Sequence, residues 1–520
     1  MKIKIKQVIS PLISISLLWV FMIGKWPVTR PTSNVSITQD SSTPNDGVAD
    51  KFDIEQRARP LLHGPRKSQD TLKLHRAVAE RRSDAKQAEI FLTNANLYSN
   101  GKGMVFPLLF KKDKLLKLGR TAIEDEFGLI LLASERDVIG ISEQTVGSEK
   151  VLVAGCALCH TGKAAGRIIP GLGNKTIDVF QFAGTNKYSL EIANSLDKLK
   201  HPFDWSRADL IKKTMKLSKS LQNPICDTKV RGLMPPMVTI SKSLEALGHK
   251  NPPVFAAPTK VPHLWGYGPK RKAGSFYDGF VLGDPPGPAG LPMFLGNYDK
   301  QTYESMIPRI EMLEDSLGKL LPPVYPFGID DEKAMKGKLV FKDNCQNCHG
   351  EHERDAQGFP IYSAPKFFSI EEFHTDSYRT DQIDEYRAEL SQNFAKSWLG
   401  EYIADGKSER GYFSPKLWGV WSRFPYLHNG SVPTIYDLLR EPSSRPTSFS
   451  LKRAGEKERF DQNKMGLTRV LNLHTSKNKM GNRDVFKTKK TKGLKNIGHD
   501  FGTDLSEADK QKLIEYLKTL

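Results

Sequence analysis

The chain opens with three alternating lysines, Lys2, Lys4 and Lys6, and then a largely apolar run from Val8 to Gly24, VISPLISISLLWVFMIG. A basic flank before an apolar stretch is the pattern of an export segment. The run is long for a cleaved signal, short for a full membrane span, and no Ala-x-Ala pattern follows it. Residues 1–27 are therefore read as a signal peptide or a membrane anchor, and the body is expected in the periplasm, held at the inner membrane if the segment is retained. Residues 28–60 form a flexible linker in this reading: PTSNVSITQDSSTPNDGVAD is rich in Ser, Thr, Asn, Asp and Pro and has no aromatic residue.

Two later segments carry helical periodicity. In DDEKAMKGKLVFKDNC, Ala334, Leu339, Val340 and Phe341 are expected on a short amphipathic helix capped by Asp330 or Asp331. In LSEADKQKLIEYLKTL, Ser506 is a plausible N-cap with Asp509 three residues on, and Leu513, Ile514, Leu517 and Leu520 share one face. Between such segments the 41 glycines and 32 prolines predict long loops joining helices, with little sheet.

At 520 residues the chain exceeds one ordinary core, and two domains are the simplest division. Its 38% hydrophobic and 26% charged content fits a globular body. The net charge of +18 would favour acidic redox partners, anionic lipid or nucleic acid. The basic residues are scattered, however, and the densest run, Lys487 to Lys492, has no interleaved aromatics, so no nucleic-acid partner is expected.

Four of the five cysteines lie in GCALCHTG and NCQNCHG. A disulfide framework fits poorly, because each pair is only three residues apart, a His follows directly, and a chain of this length needs no staples. Zinc fits poorly too, since adjacent Cys and His residues cannot easily point at one ion. Covalent haem c explains the adjacency: two thiols add to the vinyl groups and the next imidazole swings beneath the iron. Two haem c groups are thus expected, on Cys156 and Cys159 with His160 as proximal ligand, and on Cys345 and Cys348 with His349. Cys226 is left over as a free thiol or an intermolecular disulfide.

Further segments follow in order: IPGLGNKTID, VPHLWGYGPKRKAGSFYDG, RFPYLHNGSVPTIYDLLREPSSRPTSF and NIGHDFGTDLSEADKQKLIEYL. With the haem pentapeptides they resemble the bacterial di-haem cytochrome c peroxidase superfamily, and within it the branch of rubber oxygenase and haem-dependent fatty-acid dioxygenases. The resemblance runs from about Gly155 to the C-terminus. It implies a mainly α fold with two cytochrome c-like haem domains and little β structure, placed at residues 61–325 and 326–520. It also implies an N-terminal haem with an open distal side as the reactive centre, and a C-terminal haem with two His ligands that relays electrons.

Position by position, the resemblance makes His499 the distal partner of His349. By chemistry alone His474, Met465 and Met480 also qualify. Trp265 matches the tryptophan between the haems, and Phe280 the aromatic over the first haem, although buried Trp and Phe mostly fill cores. The first haem has no obvious sixth ligand, because His201 and Met215 sit in ordinary polar surroundings. His428, in a turn, could bond a propionate or a carbonyl, and Glu143 is the best candidate general acid. Leu264 stands where rubber oxygenases would have an aromatic, which counts against polymer cleavage.

The expected function is that of an exported di-haem oxidoreductase, dioxygenase- or peroxidase-like. Its partners would be dioxygen or hydrogen peroxide, an electron-donor redox protein and an unsaturated lipid-like substrate, with calcium as a further candidate ion. The alternatives are a non-catalytic electron-transfer cytochrome and a membrane-held sensor.

Overall fold

The computed structural model describes residue 116 and residues 119–132, 137–146, 149–154, 156–178, 230–234, 257–267, 281–282, 300–318, 320–356, 359–363, 365–402, 404–405, 409–468 and 483–520. The export segment, the linker, Cys226, His201, Met215, Phe280, His474 and Met480 lie outside them, as does the side chain of Glu143. Among the described residues no helix is long and apolar enough to cross a membrane.

Among its described residues, the first half carries mostly paired strands. β1 (Ile141–Val146) pairs antiparallel with β2 (Glu149–Ala154), and the short helix α1 (Cys156–His160) leads into the hairpin of β3 (Thr161–Ala164) and β4 (Arg167–Pro170). β5 (Leu233–Met234) pairs with β6 (Thr259–Lys260), and β7 (Val281–Leu282) reaches forward to pair with β9 (Ala404–Asp405). Helix α2 (Lys300–Gly318) then leads to the second half.

There α3 (Asp331–Asn344) runs into α4 (Gln346–His349). β8 (Phe367–Ser369), which pairs with β10 (Gly411–Phe413), is followed by α5 (Ile370–Phe373) and α6 (Tyr378–Ala395). Further on come α7 (Ile435–Leu438), β11 (Ser448–Ser450), β12 (Phe460–Asp461), β13 (Gly466–Leu467) and β14 (Val485–Lys487), and α8 (Glu507–Lys518) closes the chain. β11 pairs with β14 and β12 with β13. Among the described residues, strands pair only two at a time.

The two periodic segments form the helices their patterns predict. Asp330 caps α3 by accepting the Lys333 N–H at 3.0 Å, and Ser506 caps α8 by accepting the Asp509 N–H at 3.1 Å. Leu513, Ile514, Leu517 and Leu520 are buried as expected. The inner stripe of α3 differs from the expectation: Ala334, Gly337 and Phe341 face inward, while Leu339 is 63% exposed. Five residues along a helix rotate a side chain well away from the starting face, so Leu339 cannot share the face of Ala334.

Helices α3 and α8 cross where Gly337 lies against the backbone of α8. A Cβ at Gly337 would stand 1.9 Å from the Lys512 carbonyl oxygen, so only glycine permits this crossing. Phe341 and Tyr516 seal it with ring centroids 5.2 Å apart. The largest buried cluster draws on both sides of the expected boundary at 325/326, joining Ala164, Leu172 and Trp265 to Trp418, Phe424 and Leu517.

Candidate haem sites

Each Cys-x-x-Cys-His segment presents its histidine from a short helical turn, and each histidine is held in the same way. His160 donates its Nδ1–H to the Pro262 carbonyl at 2.9 Å, and His349 donates its Nδ1–H to the Pro415 carbonyl at 2.8 Å. A carbonyl oxygen can only accept, so both rings are Nδ1–H tautomers with a bare Nε2. Burial pushes both imidazoles down to about 4, which leaves them neutral near pH 7. Neutral imidazole with a free Nε2 is the form that binds a metal.

The accepting prolines belong to a repeat. Pro262-His-Leu-Trp-Gly266 and Pro415-Lys-Leu-Trp-Gly419 share the pattern Pro-x-Leu-Trp-Gly. Both closing glycines have positive φ, +69° and +65°, and both tryptophans are fully buried. The Trp265 indole N–H donates to the Trp418 carbonyl at 2.8 Å, so the two copies meet. Trp418 is the residue the sequence reading missed, and the repeated pentapeptide was the signal that could have found it. Around it, the His352 ring lies 5.0 Å away and the Arg354 guanidinium 4.4 Å from the indole centroid.

The second histidine segment has a further feature. His349 and His499 face each other with ring centroids 6.3 Å apart and planes tilted by 40°. Two imidazole–metal bonds of about 2 Å, with each ring centre about 1.1 Å behind its nitrogen, need about 6.2 Å. Burial and the nearby His349 hold the His499 imidazole low, at about 3.

His499 has no ring anchor like that of His349: its Nδ1 is buried without a hydrogen-bond partner. The backbone places it instead. Gly498 (φ +73°) and His499 (φ +52°) take successive left-handed conformations, and the His499 N–H donates to the Phe373 carbonyl at 2.8 Å. A Cβ on Gly498 would lie 2.4 Å from the Phe373 oxygen, so the loop needs glycine there.

Arg445, fully buried, clamps the loop from behind. Its Nε donates to the Arg440 carbonyl, its Nη1 to Asn496 and Gly498, and its Nη2 to Leu438 and His499, at 2.7–3.2 Å. All five guanidinium hydrogens are thereby used.

Cys345, Cys348, His349 and His499 line one cavity of about 690 Å³, closed on its apolar side by Phe341 and Leu513. Cys345 and Cys348 are free thiols, and burial with the neighbouring Cys348 pushes the Cys345 thiol up to about 12. Paired thiols, an anchored histidine and a facing histidine in an apolar cavity are a donor set that fits a six-coordinate haem c. At the first segment Cys159 is half-buried and the Cys156 side chain lies outside the described ones.

The other candidates separate by position. Met465 is fully buried in the core and does not line the cavity, so it is packing. His428 does line the cavity, with its ring stacked on Tyr412 at 4.8 Å, while its carbonyl accepts from the Lys260 N–H at 3.0 Å. Leu264 packs among Ile130, Leu132 and Leu317. Among the described residues no group of three or more His, Cys, Asp or Glu side chains converges as a metal site.

An uncharacterized protein of Sinorhizobium fredii, y4iM, is 33% identical over 148 residues, covering 26% of this chain and 34% of its own length. A second, y4iJ, is 29% identical over 266 residues, covering 40% of this chain and 42% of its own length. The chain thus spans between a third and a half of the curated relatives it matches. Residues 411–450, which contain Pro415, Trp418 and Arg445, match the RoxA-like, cytochrome c-like family, and a cytochrome c-like domain of this kind implies haem c.

Proposed function

We propose that the protein is an exported di-haem c-type oxidoreductase in which Cys156, Cys159 and His160 hold a reactive haem, and Cys345, Cys348, His349 and His499 hold a haem that relays electrons. The observation that carries this reading is the unequal use of two matched histidines: both are anchored through Nδ1 to a proline carbonyl, and only His349 faces a second buried imidazole among the described residues. Haem c supplies one-electron redox chemistry and, where an axial position is open, a site for dioxygen or peroxide.

The protein's own groups do the rest. The Pro262 and Pro415 carbonyls keep the Nδ1–H tautomer and raise the donor strength of each Nε2. Phe341, Leu513 and Leu517 exclude water from the second cavity, which favours the less charged redox state. The Trp265 indole N–H bonds the backbone carbonyl of Trp418, which ties the two histidine segments together. By the resemblance alone, Phe280, outside the described residues, would be the aromatic over the first haem, and an apolar lining there would suit an unsaturated lipid-like substrate over a peroxidase reaction.

Electron paramagnetic resonance with visible spectroscopy, with and without cyanide, tests the assignment. One low-spin haem that ignores cyanide and one that binds it are expected. Two unresponsive low-spin haems would leave a non-catalytic electron-transfer cytochrome.

A further inference from the structure

The cavity that contains Cys345, Cys348, His349 and His499 is also lined by Lys175, Lys260 and Arg423. These three come from distant parts of the chain, and no carboxylate pairs with any of them among the described residues. Their protein contacts are to neutral acceptors. Lys175 Nζ donates to the Lys163 and Ser422 carbonyls, both at 2.9 Å, and lies over the Phe424 ring. Lys260 Nζ donates to the Arg423 and Pro425 carbonyls at 2.9 and 2.6 Å.

Arg423 Nη1 donates to the Lys416 carbonyl at 2.8 Å and to His263 Nε2 at 3.1 Å. Each ammonium therefore keeps one N–H, and Arg423 keeps its Nε and Nη2 hydrogens, without a protein acceptor.

Three enclosed cations that repel one another, Lys175 buried and Lys260 and Arg423 half-buried, are costly unless an anion joins them. Their repulsion is visible in Lys260, which burial and the charges of Arg423 and Lys175 hold well below the usual lysine range. A second observation points to a ligand. Tyr362 lines the same cavity with a buried hydroxyl that has no hydrogen-bond partner. At two other buried arginines a carboxylate is the partner, Asp178 for Arg483 and Asp484 for Arg231, and Arg423 has none among the described residues.

A porphyrin tethered through its vinyl groups at Cys345 and Cys348 brings two carboxylates of its own. We propose that Lys175, Lys260 and Arg423 form a carboxylate-binding cluster that takes the propionates of the haem held by Cys345 and Cys348. This rests on the di-haem reading above. The cluster ties β6 and the segment after β4 to the second cavity, so the halves of the chain are locked together by the haem's acidic edge.

The test uses the purified full-length chain. A pyridine haemochrome count of two haems per chain secures the parent reading, and a lower count would bring that reading down by itself. The propionate bending band in the resonance Raman spectrum and the midpoint potentials are then measured for Lys260→Met, Arg423→Gln and the charge-keeping Lys260→Arg.

The two charge-removing variants should shift the band and lower one potential by about 59 mV, a tenfold move of a one-electron equilibrium toward the oxidised form. Lys260→Arg should resemble the native chain. Loss of the second haem in the charge-removing variants, with Lys260→Arg retaining it, also supports the cluster.

Unchanged band and potential at full haem content would overturn the proposal, as would loss of haem in Lys260→Arg as well. A decanoate-induced spectral change in the native chain, abolished by Arg423→Gln with the propionate band unmoved, would instead assign the cluster to a free carboxylate and overturn it.

Discussion

Trp265 donates its indole N–H to the backbone carbonyl of Trp418 at 2.8 Å, and each of these tryptophans sits three residues after the proline whose carbonyl holds a haem-motif histidine. The two His–Pro anchors are thus coupled by a single buried hydrogen bond. Any shift of one Pro-x-Leu-Trp-Gly segment is felt by the other, because both tryptophans are fully enclosed and close-packed cores do not deform gradually.

Trp265→Phe keeps an aromatic ring but removes this bond and leaves the Trp418 carbonyl buried without its donor. A loss of about 1–3 kcal/mol is expected in denaturant unfolding. Electron passage between the two centres, followed by stopped-flow reduction, should slow at the same time.

His499→Ala should convert the second haem to a high-spin or exchangeable form while the spectrum of the first is unchanged. Low-temperature visible and paramagnetic resonance spectra read this directly. A low-spin second haem in this variant would mean that another residue faces His349.

Arg445→Leu leaves five carbonyls without donors, two of them in Gly498 and His499. Since the His499 ring has no anchor of its own, the variant should show a mixture of low-spin and high-spin second haem, and a stability loss of about 3 kcal/mol or more. Arg445→Lys, with fewer and less directed donors, should fall between the two.

Gly337→Ala pushes a Cβ to within 1.9 Å of the Lys512 oxygen and forces α3 and α8 apart. Overpacking of this kind costs about 1–3 kcal/mol. The denaturation midpoint should fall accordingly, with the cysteines still able to take haem.

Acid should destabilise the fold partly through His352. Its Nε2 accepts the Leu417 N–H at 2.8 Å, so protonation there would set two donors against each other. Burial, aided by the charges of His349, Lys416 and Arg423, lowers its pKa from 6.5 to about 3. The unfolded chain therefore binds more protons between those values: stability is full above about 6.5 and falls by roughly 1 kcal/mol per pH unit as pH drops toward 3. In His352→Gln, melting temperatures measured across that window should depend less steeply on pH.

Sequence determined what depends on neighbours along the chain. Cys-x-x-Cys-His is a local pattern, so candidate attachment residues and candidate proximal histidines could be named without a fold. Helix caps and stripes are also local, and Asp330, Ser506 and the Leu513 to Leu520 face follow from short-range hydrogen bonding and the helical period.

Tertiary structure decided what depends on distant segments. Leu339 turned outward because α3 meets its partner along Gly337, a contact set by a backbone more than a hundred and fifty residues away. Which carbonyls anchor His160 and His349, which tryptophan pairs with Trp265, and how Arg445 delivers His499 were likewise not written in any one stretch. The gathering of Lys175, Lys260 and Arg423 around one cavity is of the same kind. A charge looks like an ordinary solvated residue in sequence, and only long-range packing removes the water and makes its missing counter-charge matter.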